Sequence, residues 1–363
     1  MIDSVGALPR YEGIAVRNSR RTSLEDVARK AGVSRSTVSR VINNDPNVKA
    51  ETREHVLKVI EQERYNPNAV ARSMVTGRTQ VIGVVFPHEY HVFFNDPYYF
   101  PALLQGVSSM ATQRDYALLL WVRQSGEDAN IFYRRILQNG LMDGVIIASD
   151  SQNSLANYLA DMGVPLASVE RPGSLQHSVN YVSIDNIAAA RNVVEHLVSV
   201  GRRKIALIAG AMDNTDAQER LDGFRQAMSD AGLPSDMVVY GEFQRRTAYE
   251  ATKQLLDKDI DAIFASSDVM AQGAYEALEE AGLRVPDDVA VVGFDDLPTA
   301  EELSPPLTTV RQPISEKGSV ATGLLLDAIE GIIHEPQHII LTTSLIVRAS
   351  SGVNVRAETA TLT

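Results

Sequence analysis

Two arginines and a serine are grouped in the segment from Thr22 to Asn43, and side chains of these types can read the edges of DNA base pairs. Arg35, Ser36 and Arg40 fall on one side of a predicted helix, because Arg40 follows Ser36 by four residues. An arginine can donate two hydrogen bonds to one guanine, and a serine can bond a base or a phosphate. A solvated helix in a small bundle would show the same polar face, so this pattern alone leaves both interpretations open.

The elements that would hold these side chains follow from the apolar residues of the same segment. Apolar side chains recur at steps of three and four residues, which predicts two short helices that each bury one stripe. They are Leu24, Val27, Ala28, Ala31, Val33, Val38, Val41 and Ile42. Gly32 can take the left-handed conformation that ends a helix, and Ser34 can cap the next one. This order predicts a helix-turn-helix, whose second helix lies in the major groove of DNA.

From Gln80 onward, short apolar strands alternate with predicted helices, and the alternation occurs twice in succession. This rhythm predicts an α/β architecture of two Rossmann-like lobes, each built on a parallel sheet, with a cleft between them. Ligands of such sheets meet the loops at the carboxyl ends of the strands. The polar residues at those predicted places are Glu170, Arg171, Arg220, Ser266, Ser267, Asp268, Asp295 and Asp296, with Arg220 assigned to the start of a helix.

Carboxylates and an arginine around one cleft suit the neighbouring hydroxyl groups of a sugar, because they bond those groups in pairs. A sugar ring also packs on an aromatic face, which could be offered by Phe243 or by the run Phe93, Phe94, Tyr98 and Tyr99. Structural roles stay open at this stage. Asp268 could cap a helix, Asp295 could cap a turn, and Phe243 could lie in a core.

The charge of the chain is divided unevenly along its length. Residues 1–78 contain 14 Lys and Arg against 9 Asp and Glu, whereas the remainder contains 20 against 37. A basic segment on an acidic body can dock on DNA while the body stays off the phosphates, although acidic bodies are also common in proteins that never meet DNA. The chain has no cysteine, which excludes disulfides and thiolate chemistry.

Motifs of the common enzyme classes are absent from the sequence. It contains no GxSxG, no metal-spaced histidines and no phosphate-binding glycine loop, so we predict that the chain is not an enzyme and holds neither a cofactor nor a metal. It has no run of about 18 apolar residues that would predict a transmembrane helix, and its first residues lack the features of a signal peptide. We therefore expect a cytoplasmic location and no membrane partner.

Three stretches resemble the DNA-binding region of the lactose-repressor/galactose-repressor (LacI/GalR) family: Thr22–Ala28, Val33–Asn43 and Tyr65–Met74. The resemblance continues to about Ser351 and implies a regulator of transcription that binds a pseudo-palindromic double-stranded DNA operator as a homodimer. In the family, the third stretch forms a hinge helix that inserts an apolar side chain into the minor groove, and methionine stands here where leucine is usual. The DNA-binding residues implied are Thr22, Ser34, Arg35, Ser36, Thr37, Ser39, Arg40, Asn43, Asn68, Ala71 and Met74.

The resemblance also implies roles in the cleft. Arg220 and Asp295 match an arginine and an aspartate that bind the effector in the family, and Phe243 matches an aromatic contact. Glu170 stands where aspartate is usual, and Ser267 where asparagine is frequent, so the particular sugar stays open. The expected effector is a mono- or disaccharide, and the expected effector-binding residues are Tyr98, Glu170, Arg220, Phe243, Ser267 and Asp295.

The predicted organisation and function follow from these assignments. A tail (1–20) precedes the helix-turn-helix domain (21–66) and a hinge helix with its linker (67–79); the first core lobe comprises 80–181 and 312–342, the second comprises 182–311 and 343–354, and a tail covers 355–363. The predicted function is repression of genes for carbohydrate uptake or catabolism, under the control of the bound sugar. The alternative is a sugar-binding protein that never meets DNA, and the basic N-terminal segment argues against it.

Overall fold

The computed structural model describes residues 22–42, 45–63, 65, 77–89, 97–124, 126–137, 140–148, 154–173 and 177–352. The chain divides into two compact units, Met1–Thr79 and Gln80–Thr363. Both predicted tails and most of the predicted hinge segment lie outside the described residues. The same holds for four of the residues expected to contact DNA, which are Asn43, Asn68, Ala71 and Met74.

Three helices form the described part of the first unit: α1 (Leu24–Lys30), α2 (Arg35–Ile42) and α3 (Ala50–Gln62). Their apolar stripes meet in one core, in which Val27 and Val38 are fully buried. Ser23 begins α1 through a capping box with Asp26, and Gly32 (φ +62°) lies in the turn between α1 and α2. The helix-turn-helix predicted from the apolar spacing is therefore confirmed.

Two six-stranded sheets form the framework of the second unit. Their strands are β1 (Val81–Glu89), β2 (Ala117–Arg123), β3 (Gly144–Ile147), β4 (Leu166–Ser168), β5 (Asn180–Ile184), β6 (Ile205–Ala209), β7 (Val238–Tyr240), β8 (Ala262–Ala265), β9 (Ala290–Asp295), β10 (Thr308–Arg311), β11 (His338–Leu341) and β12 (Ser344–Ile346). The first sheet has the order β11-β5-β4-β3-β1-β2 and is parallel throughout. The second has the order β12-β10-β9-β8-β6-β7 and is parallel except for β12.

Helices cover both faces of each sheet, which explains why the inner strands are continuous apolar runs. They are α4 (Tyr99–Gln113), α5 (Ala129–Leu137), α6 (Ser154–Asp161), α7 (Asn186–Ser199), α8 (Thr215–Asp230), α9 (Arg245–Lys253), α10 (Asp268–Glu280), α11 (Thr299–Glu302) and α12 (Ile314–Glu330). In the first lobe, built on the first sheet, α4 and α12 pack on one face and α5 and α6 on the other. In the second lobe, built on the second sheet, α7 and α8 pack opposite α9 and α10. Among the described helices, none is both long and apolar enough to cross a membrane.

The chain passes between the lobes three times: after Ile184, between Arg311 and Ile314, and between Leu341 and Ser344. The last two crossings lie where the sequence indicated them, whereas the first lies three residues beyond the predicted boundary between residues 181 and 182. The reason is strand pairing, because β5 is an inner strand that stays bonded to β11 as far as Ile184. The first lobe therefore extends to Ile184.

Candidate functional site

A cavity of about 640 Å³ lies between the two lobes, near the carboxyl ends of their strands. This volume is in the range of small-molecule sites. The first lobe and the second lobe both contribute to the wall. The described residues that line the cavity are Tyr99, Phe100, Glu170, Gly210, Ala211, Met212, Asp213, Asn214, Asp216, Arg220, Tyr240, Glu242, Phe243, Gln244, Ser267, Asp295 and Gln312.

Arg220 is held in the cavity wall by contacts on several sides. Its Nε donates to Oδ1 of Asn186 at 2.9 Å, and one terminal nitrogen donates to the carbonyl oxygen of Ser266 at 2.6 Å. The guanidinium also lies over the ring of Phe294, 3.7 Å from the centroid. The residue is only 4% exposed, so its position is fixed before a ligand arrives.

The structure corrects the predicted place of Arg220, which is not at the start of its helix. Helix α8 begins at Thr215, and Arg220 lies in its second turn. Asn214 is the N-cap, since its side chain accepts a hydrogen bond from the backbone of Ala217. The amide of Asn214 also donates to Oε2 of Glu170 at 2.9 Å, so this cap joins the second lobe to the first.

The titratable side chains of Tyr99, Glu170, Asp216 and Lys317 form a cluster beside Arg220. Oδ2 of Asp216 lies 3.8 Å from a terminal nitrogen of Arg220 and 3.8 Å from Nζ of Lys317. Nζ of Lys317 is 3.4 Å from the hydroxyl of Tyr99 and 3.4 Å from Oε1 of Gln312. Lys317 is on α12 of the first lobe and Asp216 on α8 of the second, so opposite charges meet across the lobes.

Burial and mutual charge shift the pKa values of this cluster. Burial, followed by the charge of Asp216, raises the pKa of Glu170 to about 8, against the opposing effects of Lys317 and Arg220. Burial also raises the pKa of Tyr99 to about 12. Burial alone would lower the pKa of Lys317, but Tyr99, Asp216 and Glu170 outweigh it and raise that pKa. The raised pKa favours the protonated form of Glu170, which can donate as well as accept a hydrogen bond.

Asp295 ends β9 in an unusual backbone conformation. Its φ is +121° and that of Asp296 is +58°, a region that residues with side chains rarely adopt. Asp295 accepts a hydrogen bond from Nε2 of Gln312 at 2.5 Å, whereas Asp296 pairs with Arg311 at 2.6 Å and with Arg348 at 2.8 Å. The two carboxylates therefore point to different partners, as expected for neighbours on a turn.

The structure also corrects the expected cap of helix α10. Ser267 is the N-cap and accepts from the backbone nitrogen of Met270, while Asp268 is the first helical residue. The carboxylate of Asp268 instead accepts from the hydroxyl of Thr309 at 2.6 Å and from the backbone of Leu297 at 2.7 Å. Burial, with the nearby charge of Asp295, raises its pKa well above the usual range.

Phe243 lines the cavity and also packs against the core of the second lobe. Its ring lies against Gly210, where a Cβ atom would overlap the ring carbons. The position of this ring therefore depends on a glycine after β6. Tyr98 lies outside the lining described above and faces a neighbouring surface groove. Helix α4 begins one residue later, so Tyr99 takes the place expected for Tyr98.

Helix α2 separates its residues as the sequence predicted. Val38 and Val41 are buried, while Arg35, Ser36 and Arg40 are exposed. Arg35 lies 3.1 Å from Glu25, and Arg40 lies 3.7 Å from Asp45. Such exposed pairs are weak, so phosphates or bases can replace these carboxylates at little cost.

The remaining described residues expected at DNA surround the start of α2 or lie beside it. Ser34 accepts a hydrogen bond from the backbone of Thr37 at 3.1 Å and lies 2.7 Å from the hydroxyl of Ser36. Ser39 is half-buried. The hydroxyl of Thr22 donates to the carbonyl oxygen of Glu63 at 3.4 Å. This bond connects the residue before the N-cap of α1 to the C-terminal end of α3.

Asp216 and Lys317 are buried charged residues of this site that sequence reasoning missed, as it also missed the exposed Asp213 and Glu242. Lys317 falls on the buried stripe of α12, three residues after Ile314 and four before Ala321. A lysine inside an apolar stripe is a signal that could have been found in the sequence. Asp216 offered no such signal, because acidic residues are ordinary in a first helical turn. Within the described ranges, no group of three or more His, Asp or Glu could hold a metal ion.

Comparison with known proteins identifies first the class and then the family. Residues 194–351 match a periplasmic binding protein-like domain. The two lobes with a cavity between them agree with this class. Residues 23–68 match bacterial regulatory proteins of the lacI family. The HTH-type transcriptional regulator CelR of Thermobifida fusca is 40% identical over 340 residues, which cover 91% of this chain and 98% of CelR. The chain thus belongs to the LacI family of bacterial transcriptional regulators.

Two solved structures extend this similarity. A complex of the transcriptional regulator CelR with cellobiose has a TM-score of 0.71 and 38% identity, covering 91% of this chain and 100% of that one. A lac repressor dimer bound to operator and the anti-inducer ONPF has a TM-score of 0.77 and 29% identity, covering 91% and 98%. These relatives are transcriptional regulators and not enzymes, in agreement with the prediction from the sequence.

Proposed function

We propose that this protein represses genes for carbohydrate uptake or catabolism, and that a mono- or disaccharide bound between the lobes controls its affinity for operator DNA. The observation that carries the proposal is the cavity wall. It combines a fixed guanidinium (Arg220), carboxyl groups (Glu170, Asp216, Asp295) and an aromatic ring (Phe243). Carboxyl and guanidinium groups bond neighbouring hydroxyls, and the ring packs on the apolar face of a sugar. The cellobiose complex of CelR supports this class of effector.

For DNA, we propose a cytoplasmic homodimer that reads a pseudo-palindromic operator with half-sites about one helical turn apart. The exposed side chains of Arg35, Ser36 and Arg40 supply the base contacts, while Thr22, Ser34, Thr37 and Ser39 support them or bond phosphates. The lac repressor dimer on its operator supports both the dimer and the DNA partner. Asn43 in the helix-turn-helix domain and Asn68, Ala71 and Met74 in the hinge segment remain proposed DNA contacts.

The sugar acts by binding one arrangement of the lobes better than another. A ligand shifts such an equilibrium only by its difference in affinity for the two states. Release from the operator by 100-fold requires a coupling of about 2.7 kcal/mol. We propose that the groups contributed by both lobes, above all Glu170 and Asp216, supply this difference.

The DNA part is tested with Arg40→Ala. The operator is first defined by in vitro selection, and binding to it and to a scrambled duplex is then measured by fluorescence anisotropy at fixed salt. The preference for operator should fall about 10-fold or more, because a base contact is worth about 1–3 kcal/mol. The exposed Lys58→Ala on α3 removes one positive charge from the same unit as a control. Equal weakening on both duplexes by Arg40→Ala would show that this arginine binds phosphate only.

The effector part is tested by adding sugars to the protein–operator complex. At least one mono- or disaccharide should change operator affinity in the unaltered chain. The same sugar should have little effect on Arg220→Ala, while the exposed Arg225→Ala on the same helix keeps the response. The proposal fails if no sugar changes operator affinity, or if Arg220→Ala responds like the unaltered chain.

A further inference from the structure

Cations in and behind the cavity are already engaged by protein groups. Arg220 bonds Asn186 and the backbone of Ser266. Lys317, which is fully buried, is within 3.8 Å of Asp216 and 3.4 Å of both Tyr99 and Gln312. A bound phosphate or carboxylate needs donors with uncompensated positive charge. The charges of Arg220 and Lys317 both face the carboxylate of Asp216, so the positive charge of neither residue is uncompensated.

The N-terminus of helix α8 is another feature of the wall that could attract an anion, and it is also compensated. A helix N-terminus carries partial positive charge and unpaired backbone N–H groups. Here Asn214 accepts from the backbone of Ala217, and Asp216 lies in the first turn. Asp213 and Glu242 add two exposed carboxylates to the lining. The carboxylates of Asp213, Asp216 and Glu242 therefore oppose a negatively charged ligand.

Among the described residues of this wall, Asp216 has a side-chain acceptor without a partner. Oδ1 of Asp216 makes no hydrogen bond, although the residue is only 3% exposed and lines the cavity. A buried carboxylate oxygen without a donor is unfavourable. A ligand hydroxyl would donate to this oxygen, whereas a phosphate or carboxylate would present a second anion to it. The oxygen therefore fits one kind of ligand and opposes the other.

We propose that Asp216 makes the cavity selective for uncharged, hydroxyl-bearing sugars over their phosphorylated or carboxylated forms, with Lys317 as the buried counter-charge of Asp216. This inference rests on the proposed sugar effector and adds a charge class to it. Lys317 acts through Asp216 and does not line the cavity, so it is a positioning residue.

The first experiment measures binding of matched pairs to the full chain by isothermal titration calorimetry at pH 7. The pairs are glucose and glucose 6-phosphate, ribose and ribose 5-phosphate, and cellobiose and cellobiose 6-phosphate. Every uncharged sugar that binds should do so at least 10-fold more tightly than its phosphate. A phosphate that binds as tightly as its parent sugar, or more tightly, overturns the inference but leaves a sugar effector in place. If no uncharged or phosphorylated sugar binds, the proposed effector itself fails.

The second experiment assigns the selectivity to Asp216. Asp216→Asn keeps the size and one acceptor but removes the charge, so the ratio of affinities for sugar and phosphate should fall at least 10-fold, about 1.4 kcal/mol. The exposed Asp222→Asn on the same helix is the control and should leave the ratio unchanged. Because Asp216→Asn leaves Lys317 without its counter-charge, the double variant Asp216→Asn/Lys317→Met is measured as well. If neither variant changes the ratio, Asp216 does not determine the charge class.

Discussion

Nζ of Lys317 lies 3.8 Å from Oδ2 of Asp216, and neither side chain is more than 5% exposed. The lysine belongs to the first lobe and the aspartate to the second. The pair therefore links the two halves of the core behind the wall of the ligand cavity. Removing one charge leaves the other buried, whereas removing both does not.

This asymmetry predicts the outcome of a double-mutant cycle. Lys317→Met should lower the free energy of unfolding by about 3 kcal/mol, because breaking a buried pair typically costs 3–5 kcal/mol and Arg220 still faces Asp216. Lys317→Met/Asp216→Asn should recover to within about 1 kcal/mol of the unaltered chain. Urea unfolding followed by circular dichroism measures both. Lys204→Met, which removes an exposed pair with Asp259, is the control and should cost less than about 1 kcal/mol. Equal losses in the single and double variants would contradict the linkage.

The raised pKa of Glu170 predicts a dependence of stability on pH. The unfolded chain loses this proton near pH 4.5, whereas the folded chain keeps it to about pH 8. Between these values the folded state binds more protons, so stability falls as the pH rises, by up to about 1.4 kcal/mol per pH unit. Glu170→Gln cannot ionise and should lack this loss.

Thermal or urea unfolding from pH 5 to pH 8, without sugar, measures the two slopes. The exposed Glu195→Gln on α7 should keep the slope of the unaltered chain. Parallel curves for Glu170→Gln and the unaltered chain would show that Glu170 is already ionised at neutral pH.

Replacement by alanine should have different effects at two glycines, Gly210 and Gly323. Gly210→Ala should weaken sugar binding at least 10-fold, because the new methyl group overlaps the ring of Phe243 and moves the platform. Gly323→Ala, inside α12, meets only Cε of Met110 at 3.9 Å. It should raise the free energy of unfolding by about 0.5–1 kcal/mol, since alanine is the better helix residue. Titration calorimetry and urea unfolding of both variants check these results, and unchanged sugar affinity in Gly210→Ala would exclude Phe243 as a platform.

The hydrogen bond from Thr37 N–H to Ser34 predicts a local effect in the DNA-binding unit. Ser34→Ala removes an N-cap, which is worth about 1 kcal/mol. Amide hydrogens of α2 should therefore exchange about 5-fold faster, as measured by mass spectrometry of peptides from this helix. Ser36→Ala keeps the capping bond and should exchange like the unaltered chain. Identical exchange in both variants would show that Ser34 does not stabilise α2.

Sequence reasoning succeeded where the information is local. The spacing of apolar residues such as Val27 and Val38 predicted the helix-turn-helix. Residues three or four positions apart share one face of a helix, so this signal needs only neighbouring residues. Gly32 has the left-handed conformation expected after α1. The alternation of strands and helices likewise predicted the two lobes, since each apolar strand needs cover on both faces.

The same reasoning was limited where contacts join distant parts of the chain. Lys317 and Asp216 are about a hundred residues apart in sequence, and only folding brings them together. The shift from Tyr98 to Tyr99 depends on where α4 begins, and helix ends are poorly marked in sequence. Ser267 took the capping role expected of Asp268 for a similar reason, because either residue type can cap a helix.

The three passages of the chain between the lobes have a consequence for shortened forms of this protein. Strands β11 and β12 are neighbours in sequence, yet β11 borders the first sheet and β12 borders the second. A stop codon just after Glu330 would remove one edge strand from each sheet. The neighbouring strands β5 and β10 would then become exposed edges. Neither half of the core can therefore be obtained by cutting the gene at a single point, and any isolated lobe would have to be assembled from non-contiguous coding segments.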